Sequence, residues 1–170
     1  MEKIVRWVFE RKKLSLSLFI FSLSVSVIIA LAFVSYLAYL LFFIHDYREV
    51  LRLILATGVP FFLVGGLRAL ISRPRPFSVY PFFCGRASVT LFGHGEKASG
   101  SFPSRHAYSA FVIGTVAFFV NPWCALIFGV PAILMCACRV LIGFHFVRDV
   151  TAGALVGVLG GVLGEFLLRF

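Results

Sequence analysis

The chain has 170 residues, of which 61% are hydrophobic and only 14% are charged, and its mean hydropathy is +1.01. Soluble domains carry roughly 25% charged residues, so this composition excludes a soluble globular protein and indicates a helical membrane protein. The apolar runs are continuous rather than alternating, which argues against a membrane β-barrel. The formal net charge is +9, and its basic residues lie at the ends of apolar runs and in one loop. The expected partners are therefore the membrane bilayer and a phosphorylated substrate, and not nucleic acid.

The first thirteen residues mix basic and apolar side chains around Trp7, a pattern typical of a short amphipathic helix in the membrane interface. The next run, residues 14–44, contains no Gly, Pro or charged residue. As a helix it would be about 46 Å long at 1.5 Å per residue, against a hydrocarbon core of about 30 Å. The sequence therefore predicts one tilted helix that projects beyond the bilayer.

A second span is predicted over about residues 50–71, and the Arg-Pro pairs that follow it end the helix. Residues 77–103 form a long glycine-rich stretch. Its charged residues are expected either to contact lipid headgroups or to belong to a mobile loop: His94, Glu96 and Lys97.

Three further spans are predicted at about residues 104–120, 123–142 and 148–168. The last of them carries glycines four residues apart, which predicts a small-residue face for close helix packing: Gly153, Gly157 and Gly161. The expected fold is thus all-α, a polytopic transmembrane helical bundle of five spans, or six. We expect a single membrane-embedded domain over residues 1–170, with the functional motifs in residues 50–168.

Three polar clusters remain, at residues 68–76, 101–106 and 139–149. The second span ends at the first cluster, and the long loop leads directly to the second cluster. Two spans joined by a tight turn then lead back to the third cluster. All three clusters are therefore predicted to lie at one face of the membrane, where they would form a single site.

The residues of these clusters suit a phosphoryl group. Arginine holds phosphate by bidentate hydrogen bonds and by charge, and the clusters contain Arg68, Arg73, Arg75, Arg105 and Arg139. Ser104 lies near a helix start, where free N–H groups favour anions. Two histidines, His106 and His145, allow one to act as nucleophile and the other as general acid. The pattern suggests phosphoryl transfer through a phosphohistidine. The seven acidic residues do not cluster, so neither a metal nor another cofactor is expected.

Within the third cluster, a helix over residues 145–149 would place His145 and Asp149 on one face by their i, i+4 spacing. Asp149 would then hold and polarise the imidazole, while Arg139 would curl back to clamp an anion. The alternative is an ordinary helix end whose charged side chains reach the interface, and Arg148 is expected to contact headgroups in this way.

The first two clusters resemble motifs of the type 2 phosphatidic acid phosphatase superfamily, the membrane lipid phosphatases related to vanadium haloperoxidases and glucose-6-phosphatase. The first family motif is Lys, six residues, then Arg-Pro, and this chain has Arg68, six residues, then Arg75-Pro76. The second motif is Pro-Ser-Gly-His, and this chain has Pro103-Ser104-Arg105-His106.

The third family motif is Ser-Arg, five residues, His, three residues, then Asp. This chain has Cys138-Arg139, five residues, then His145, three residues, then Asp149. The resemblance covers about residues 50–168, and three motifs in order on one membrane face make it specific.

The resemblance implies that His145 attacks phosphorus, that Asp149 orients it, and that His106 protonates the leaving oxygen and later acts as base toward water. The phosphoryl oxygens would be held by backbone N–H groups and by Arg68, Arg75, Ser104 and Arg139. Arg105 in place of Gly is the largest departure from the family. One hypothesis is that Arg105 contacts a second phosphate and favours a diphosphate lipid, and the alternative is that it points to the headgroups.

The function implied by the resemblance is metal-independent dephosphorylation of a membrane lipid phosphate or diphosphate. We expect a bacterial prenyl diphosphate or phosphatidylglycerol phosphate as substrate, while phosphatidic acid and lipid A phosphates also fit the family. Two alternatives remain open, a phosphotransferase that passes the phosphoryl group to another lipid and a non-catalytic lipid-binding membrane protein.

The resemblance also implies an integral protein of the bacterial inner membrane with an extracytoplasmic site. Relatives generally have six spans and an N-terminus opposite the site, whereas five spans place the N-terminus on the site's side. The basic residues at 3–13 favour the cytoplasm by the positive-inside rule. The sequence leaves the oligomeric state open.

Overall fold

The computed structural model describes residues 2–80 and 100–168, and helices dominate this part of the chain. In chain order they are α1 (Glu2–Glu10), α2 (Lys12–Tyr39), α3 (Tyr47–Ile71), α4 (Pro76–Val79), α5 (Arg105–Val120), α6 (Cys124–Leu141) and α7 (Val147–Leu167). A π-helical turn, Leu40–Ile44, continues α2 toward α3. The expected all-α fold is confirmed. The contacts expected of His94, Glu96 and Lys97 lie outside the described residues.

In the described part of the chain, four helical segments are long and apolar enough to cross a membrane: Lys12–Ile44, Tyr47–Val79, Cys124–Leu141 and Val147–Leu167. Helix α5 is also apolar but has 16 residues. It is therefore about 24 Å long, less than a hydrocarbon core of about 30 Å. Helix length thus does not confirm the expected five or six spans. Helix α5 begins inside the bundle, where the buried Ser104 caps it.

Local sequence signals set the helix ends. The carboxylate of Asp46 caps α3 by accepting a hydrogen bond from the Glu49 N–H at 3.0 Å. Pro76 lies in the first turn of α4, where a helix does not need the missing N–H. Gly143 has a φ of 78°, a left-handed conformation that glycine adopts at little cost, and it turns the chain sharply after α6.

Helix α5 lies at the centre of the bundle, and α2, α3, α6 and α7 pack around it. Its approach to α7 is especially close because α7 presents glycines there. A Cβ atom added to Gly157 would lie 2.6 Å from the Tyr108 carbonyl oxygen, and one added to Gly161 would lie 2.7 Å from Thr115 Cβ. The predicted small-residue face is therefore confirmed, and it brings the backbones of α5 and α7 into contact.

An ion-pair network joins α3 to α7 at the end of the bundle far from His145. Arg52 bonds Glu49 within α3 and also bonds Glu165 near the end of α7. Glu165 is only 3% exposed. Eighteen helical residues separate it from the start of α7, a distance of about 27 Å. We call this network the Arg52 clasp.

Helix α1 packs beside α4 on the face that carries the polar clusters. Val5 and Phe9 of α1 form a small apolar cluster with Phe77 and Tyr80. The Phe77 N–H in turn donates to the Gly143 carbonyl oxygen at 3.1 Å, next to His145. The N-terminal segment therefore lies on the site's side, as five spans predict, and not opposite the site as the family resemblance implies.

Candidate active site

His145 lies in the short connection between α6 and α7 and is 2% exposed. Its Nδ1 atom lies 2.9 Å from the backbone carbonyl oxygen of Ser101. A carbonyl oxygen can only accept a hydrogen bond, so Nδ1 carries the proton. In the neutral imidazole Nε2 then keeps its lone pair, and this nitrogen is the one that can attack an electrophile.

The helix expected over residues 145–149 is wrong at its start. Helix α7 begins at Val147 with Phe146 as its N-cap, so Asp149 lies in the first turn and His145 precedes the helix. Asp149 Oδ2 is 4.0 Å from His145 Nδ1, which is too far for a hydrogen bond. It accepts instead from the Phe146 N–H at 2.9 Å and from the Ser101 hydroxyl.

Ser101 therefore connects Asp149 to His145, a role that was not predicted from the sequence. Ser101 is fully buried, and its N–H donates to the Arg73 carbonyl oxygen at 2.9 Å. Gly100, with a φ of 76°, directly precedes it. A glycine beside a small hydroxyl residue is the available sequence signal, and such a pair does not reveal which carbonyl oxygen will face an imidazole.

Ser104 joins the second motif to the third. Its side chain caps α5 by accepting from the Ala107 N–H at 3.4 Å. Its own N–H donates to the backbone carbonyl oxygen of Asp149 at 2.9 Å. His106 lies in the first turn of α5. The free N–H groups at this helix start therefore lie beside the start of α7, in a position suited to an anion.

Three of the predicted arginines converge on His145. Burial lowers the pKa of His145 well below its ordinary value, and the nearby positive charges of Arg75, Arg139 and Arg68 lower this pKa further. The Arg75 and Arg139 side chains are 5% and 2% exposed, so they are held in the interior rather than in water. Arg68 Nη1 donates to the Pro103 carbonyl oxygen at 2.9 Å. Buried cations of this kind favour binding of an anion.

Arg105 and Arg148 lie apart from this group. Arg105 is exposed and, together with His106, lines an apolar cavity between α2, α3 and α5. Arg148 is also exposed, and its guanidinium lies 5.0 Å from the centre of the Phe146 ring. The proposed contact of Arg105 with a second phosphate stays a prediction.

The arrangement can therefore bind an anion between arginines and present a nucleophilic Nε2 to it, with a second histidine nearby for proton transfer. His106 interacts electrostatically with four arginines: Arg139, Arg105, Arg68 and Arg75. Within residues 2–80 and 100–168, no group of three or more His, Cys, Asp and Glu side chains is placed to hold a metal ion.

Comparison with known proteins agrees with this arrangement. The model of the PAP2 superfamily matches residues 49–164. A curated relative, the lipid A 4'-phosphatase of Bacteroides thetaiotaomicron, is 30% identical over 104 residues. That match spans 59% of this chain and 45% of the relative, so it covers less than half of the relative's length. The crystal structure of LpxE from Aquifex aeolicus has the same fold, with a TM-score of 0.70 and 24% identity over 96% of this chain and 93% of that one.

Proposed function

Because the chain belongs to the PAP2 superfamily, we propose that it is an enzyme that removes phosphate from a membrane lipid. The observation that carries this proposal is the state of His145. Its Nδ1 atom donates to the Ser101 carbonyl oxygen, which leaves the lone pair on Nε2, and the positive charges of Arg75, Arg139 and Arg68 lie close enough to act on the ring. A nucleophile beside buried cations is what attack on a phosphate ester requires.

In the first step, His145 Nε2 attacks phosphorus and forms an N–P bond while the P–O bond to the lipid breaks. His106, in its protonated imidazolium form beside the bound phosphate, gives its proton to the leaving lipid oxygen and becomes neutral. The imidazole becomes positively charged as it is phosphorylated. The proton stays on Nδ1, which donates to the Ser101 carbonyl oxygen, and the Asp149 carboxylate, linked through the Ser101 hydroxyl, stabilises the positive charge of the ring.

In the second step, water attacks the phosphohistidine, and His106 now accepts the proton of the water. The N–P bond breaks and inorganic phosphate leaves, which restores neutral His145. Throughout both steps the negative oxygens of the phosphoryl group are held by Arg68, Arg75 and Arg139, by Ser104 and by the N–H groups at the start of α5.

The substrate class is a bacterial lipid that carries a phosphate or diphosphate at the bilayer surface. Prenyl diphosphate and phosphatidylglycerol phosphate are candidates from the family resemblance. The similarity to a lipid A 4'-phosphatase adds the 4'-phosphate of lipid A. The site of this protein lies next to apolar helix faces, which supports a substrate whose phosphate is attached to hydrocarbon.

The test is phosphate release by the purified protein across a panel of these lipids, in buffer containing EDTA. We expect at least one lipid to be hydrolysed, and His145→Ala to abolish the release. Activity that required an added metal would contradict the phosphohistidine mechanism. Transfer of phosphate to a second lipid without release would identify a phosphotransferase, and binding without turnover would identify a lipid-binding protein.

We place the site at the extracytoplasmic face of the inner membrane, as the family resemblance implies. A cysteine introduced at exposed Arg148 marks the site's face, and one introduced at Trp123, which is 72% exposed in the turn between α5 and α6, marks the opposite face. In spheroplasts, a membrane-impermeant thiol reagent should label Arg148→Cys above the wild-type background. It should label Trp123→Cys only after permeabilisation. The reverse pattern would place the site, together with basic helix α1, in the cytoplasm.

A further inference from the structure

A cavity of about 390 Å³ leads from the candidate active site along the bundle. We propose that it binds one hydrocarbon chain of the substrate, so that the chain lies between α2 and α5 while the phosphate reaches His145. This inference rests on the proposed function and makes it more specific, because it assigns the chain a place within the protein.

The floor of the cavity is one face of α5. Arg105 and His106 line the end of the cavity near the active site, and the lining continues along the helix with Ser109, Ala110 and Ile113. Residues 105–113 span about 12 Å of α5 at 1.5 Å per residue. The cavity therefore begins at a proposed catalytic histidine and extends about that far along the helix, away from the phosphate site.

The walls are apolar and belong to two helices. Leu23, Val27 and Ala30 of α2 form one wall, and Phe61 of α3 forms the other. The connection between α2 and α3 is the π-turn at residues 40–44, which packs on both helices. The two helices are thus joined at the end of the bundle far from the active site, and the cavity lies between them in the half that carries the site.

Few polar side chains line the cavity. The Ser26 hydroxyl donates to the Ser22 carbonyl oxygen of its own helix at 2.8 Å, so it does not require a water molecule. The charged and titratable groups lie at the end near the site, where Arg105 and His106 are. An occupant must therefore be apolar along most of its length and anionic at one end, which describes an alkyl phosphate.

The volume favours one chain over several. Pockets for small molecules are about 300–1,000 Å³, and this cavity is near the lower limit. The remaining chains of a lipid with several acyl groups would stay in the bilayer. A second cavity of about 330 Å³ lies between α5, α6 and α7, but its lining includes none of the candidate site residues. It provides a matched control.

The experiment compares Ala30→Phe, which narrows the proposed chain site, with Ala125→Phe, which narrows the second cavity. Both alanines are exposed on the bundle surface, so both substitutions are compatible with folding. Phosphate release is measured in detergent with dodecyl phosphate and with butyl phosphate. Ser109→Leu, which enters the proposed chain site from its floor, is a second test variant.

For Ala30→Phe and Ser109→Leu we expect KM for dodecyl phosphate to rise roughly tenfold or more, the effect of about 1–3 kcal/mol of lost apolar contact. KM for butyl phosphate should stay close to the wild-type value, and Ala125→Phe should change neither. An equal effect on both chain lengths, no effect, or the same effect from Ala125→Phe would overturn the proposal. If the wild-type protein hydrolyses neither ester, phosphate release from the lipid panel still decides the proposed function. Cross-linking of a photoreactive dodecyl phosphate to the walls of the cavity then still tests the chain site, and labelling elsewhere would overturn it.

Discussion

Ser101 serves two neighbours with two different atoms. Its carbonyl oxygen accepts from His145 Nδ1, and its hydroxyl donates to Asp149 Oδ2. The substitution Ser101→Ala keeps the first contact and removes the second. We expect kcat to fall about ten- to a hundredfold, because a buried carboxylate that loses a donor forfeits about 1–3 kcal/mol. KM should change little, since Ser101 acts through His145 and not on the lipid.

Two further variants distinguish a positioning role from a structural one. Ser101→Thr retains both the carbonyl oxygen and a hydroxyl, so it should restore part of the lost kcat. Asp149→Asn should produce a loss like that of Ser101→Ala, and the double variant should lose little more than either alone, because the two groups act as one unit. Fully additive losses would contradict the link.

The protonation of His145 gives a second test at the scale of single residues. Burial and neighbouring cations hold its pKa well below the ordinary value of about 6.5. In the folded protein it should therefore remain neutral, with the proton on Nδ1, as the pH falls through 6.5. Histidine 15N chemical shifts, assigned by loss of signal in His145→Gln, measure this. A signal that changes to the doubly protonated form near pH 6.5 would contradict it.

The lowered pKa of His145 should also make the stability of the folded protein depend on pH. Once unfolded, His145 binds a proton below about pH 6.5, whereas the folded protein does not bind one there. Acid therefore favours the unfolded state. The contribution of His145 is fully present above pH 6.5 and is lost as the pH falls below it. Thermal unfolding in detergent should show a smaller decrease of Tm with acid in His145→Gln than in the wild type.

At the scale of helices, the contact between α5 and α7 sets the geometry of the site. A side chain at Gly157 would meet the Tyr108 carbonyl oxygen and the Val112 backbone nitrogen, at 2.6 and 3.0 Å from its Cβ. Backbone atoms cannot move aside without shifting α5, which carries Ser104 and His106. We expect Gly157→Leu to lower stability by about 1–3 kcal/mol and to reduce kcat, as measured by thermal unfolding and phosphate release.

The matched control is Gly65→Ala in α3, where nothing lies within 4 Å of the added Cβ. A free helical position accepts alanine with a small gain in stability, so both unfolding and activity should stay near wild type. If Gly157→Leu behaved like Gly65→Ala, the close approach of α5 and α7 would not matter for the site.

Some features of these helices could be predicted from the sequence, and others could not. The four-residue glycine spacing predicted the close face of α7, because packing of this kind depends on which residues lack a side chain. The span predicted at about residues 148–168 agrees with α7 to within one residue, whereas the idea of a helix that also includes His145 is wrong. The i, i+4 spacing of His145 and Asp149 fits a helix, but Gly143 and the cap at Phe146 place His145 outside it. Cap geometry depends on tertiary contacts that spacing does not contain.

At the scale of the whole molecule, the Arg52 clasp and the active site occupy opposite ends of one bundle. Glu165→Leu leaves Arg52 paired only with Glu49 at a partly buried position. Arg52 keeps its pair with Glu49, so only its bond to Glu165 is lost, an effect of about 1.5–3 kcal/mol, and Tm should fall. KM should not change, because the substitution lies about 27 Å from the start of α7. A change in KM with an unchanged Tm would show that the clasp acts on the site instead.

Counting the spans between the polar clusters predicted that the clusters meet at one face, and the structure brings together Arg68, Arg75, Arg139 and the two histidines. Connectivity alone suffices for this result. The role of Ser101 was not predicted, because it depends on a backbone oxygen that every residue possesses. The cavity was not predicted either, since a gap between helices depends on how several helices pack and not on any one residue.

Backbone carbonyl oxygens hold much of this site. Those of Ser101, Pro103, Arg139, Gly143 and Asp149 each accept a hydrogen bond from a neighbouring motif or turn. A carbonyl oxygen remains whatever side chain its residue bears. These backbone hydrogen bonds therefore tolerate substitutions within the motifs, such as Arg68 for Lys or Cys138 for Ser. They do not tolerate a change in the number of residues. An insertion or deletion of one codon within residues 100–104 or 139–149 would move every later carbonyl oxygen away from its donor. The length of these segments is therefore under stronger constraint than the identity of their side chains.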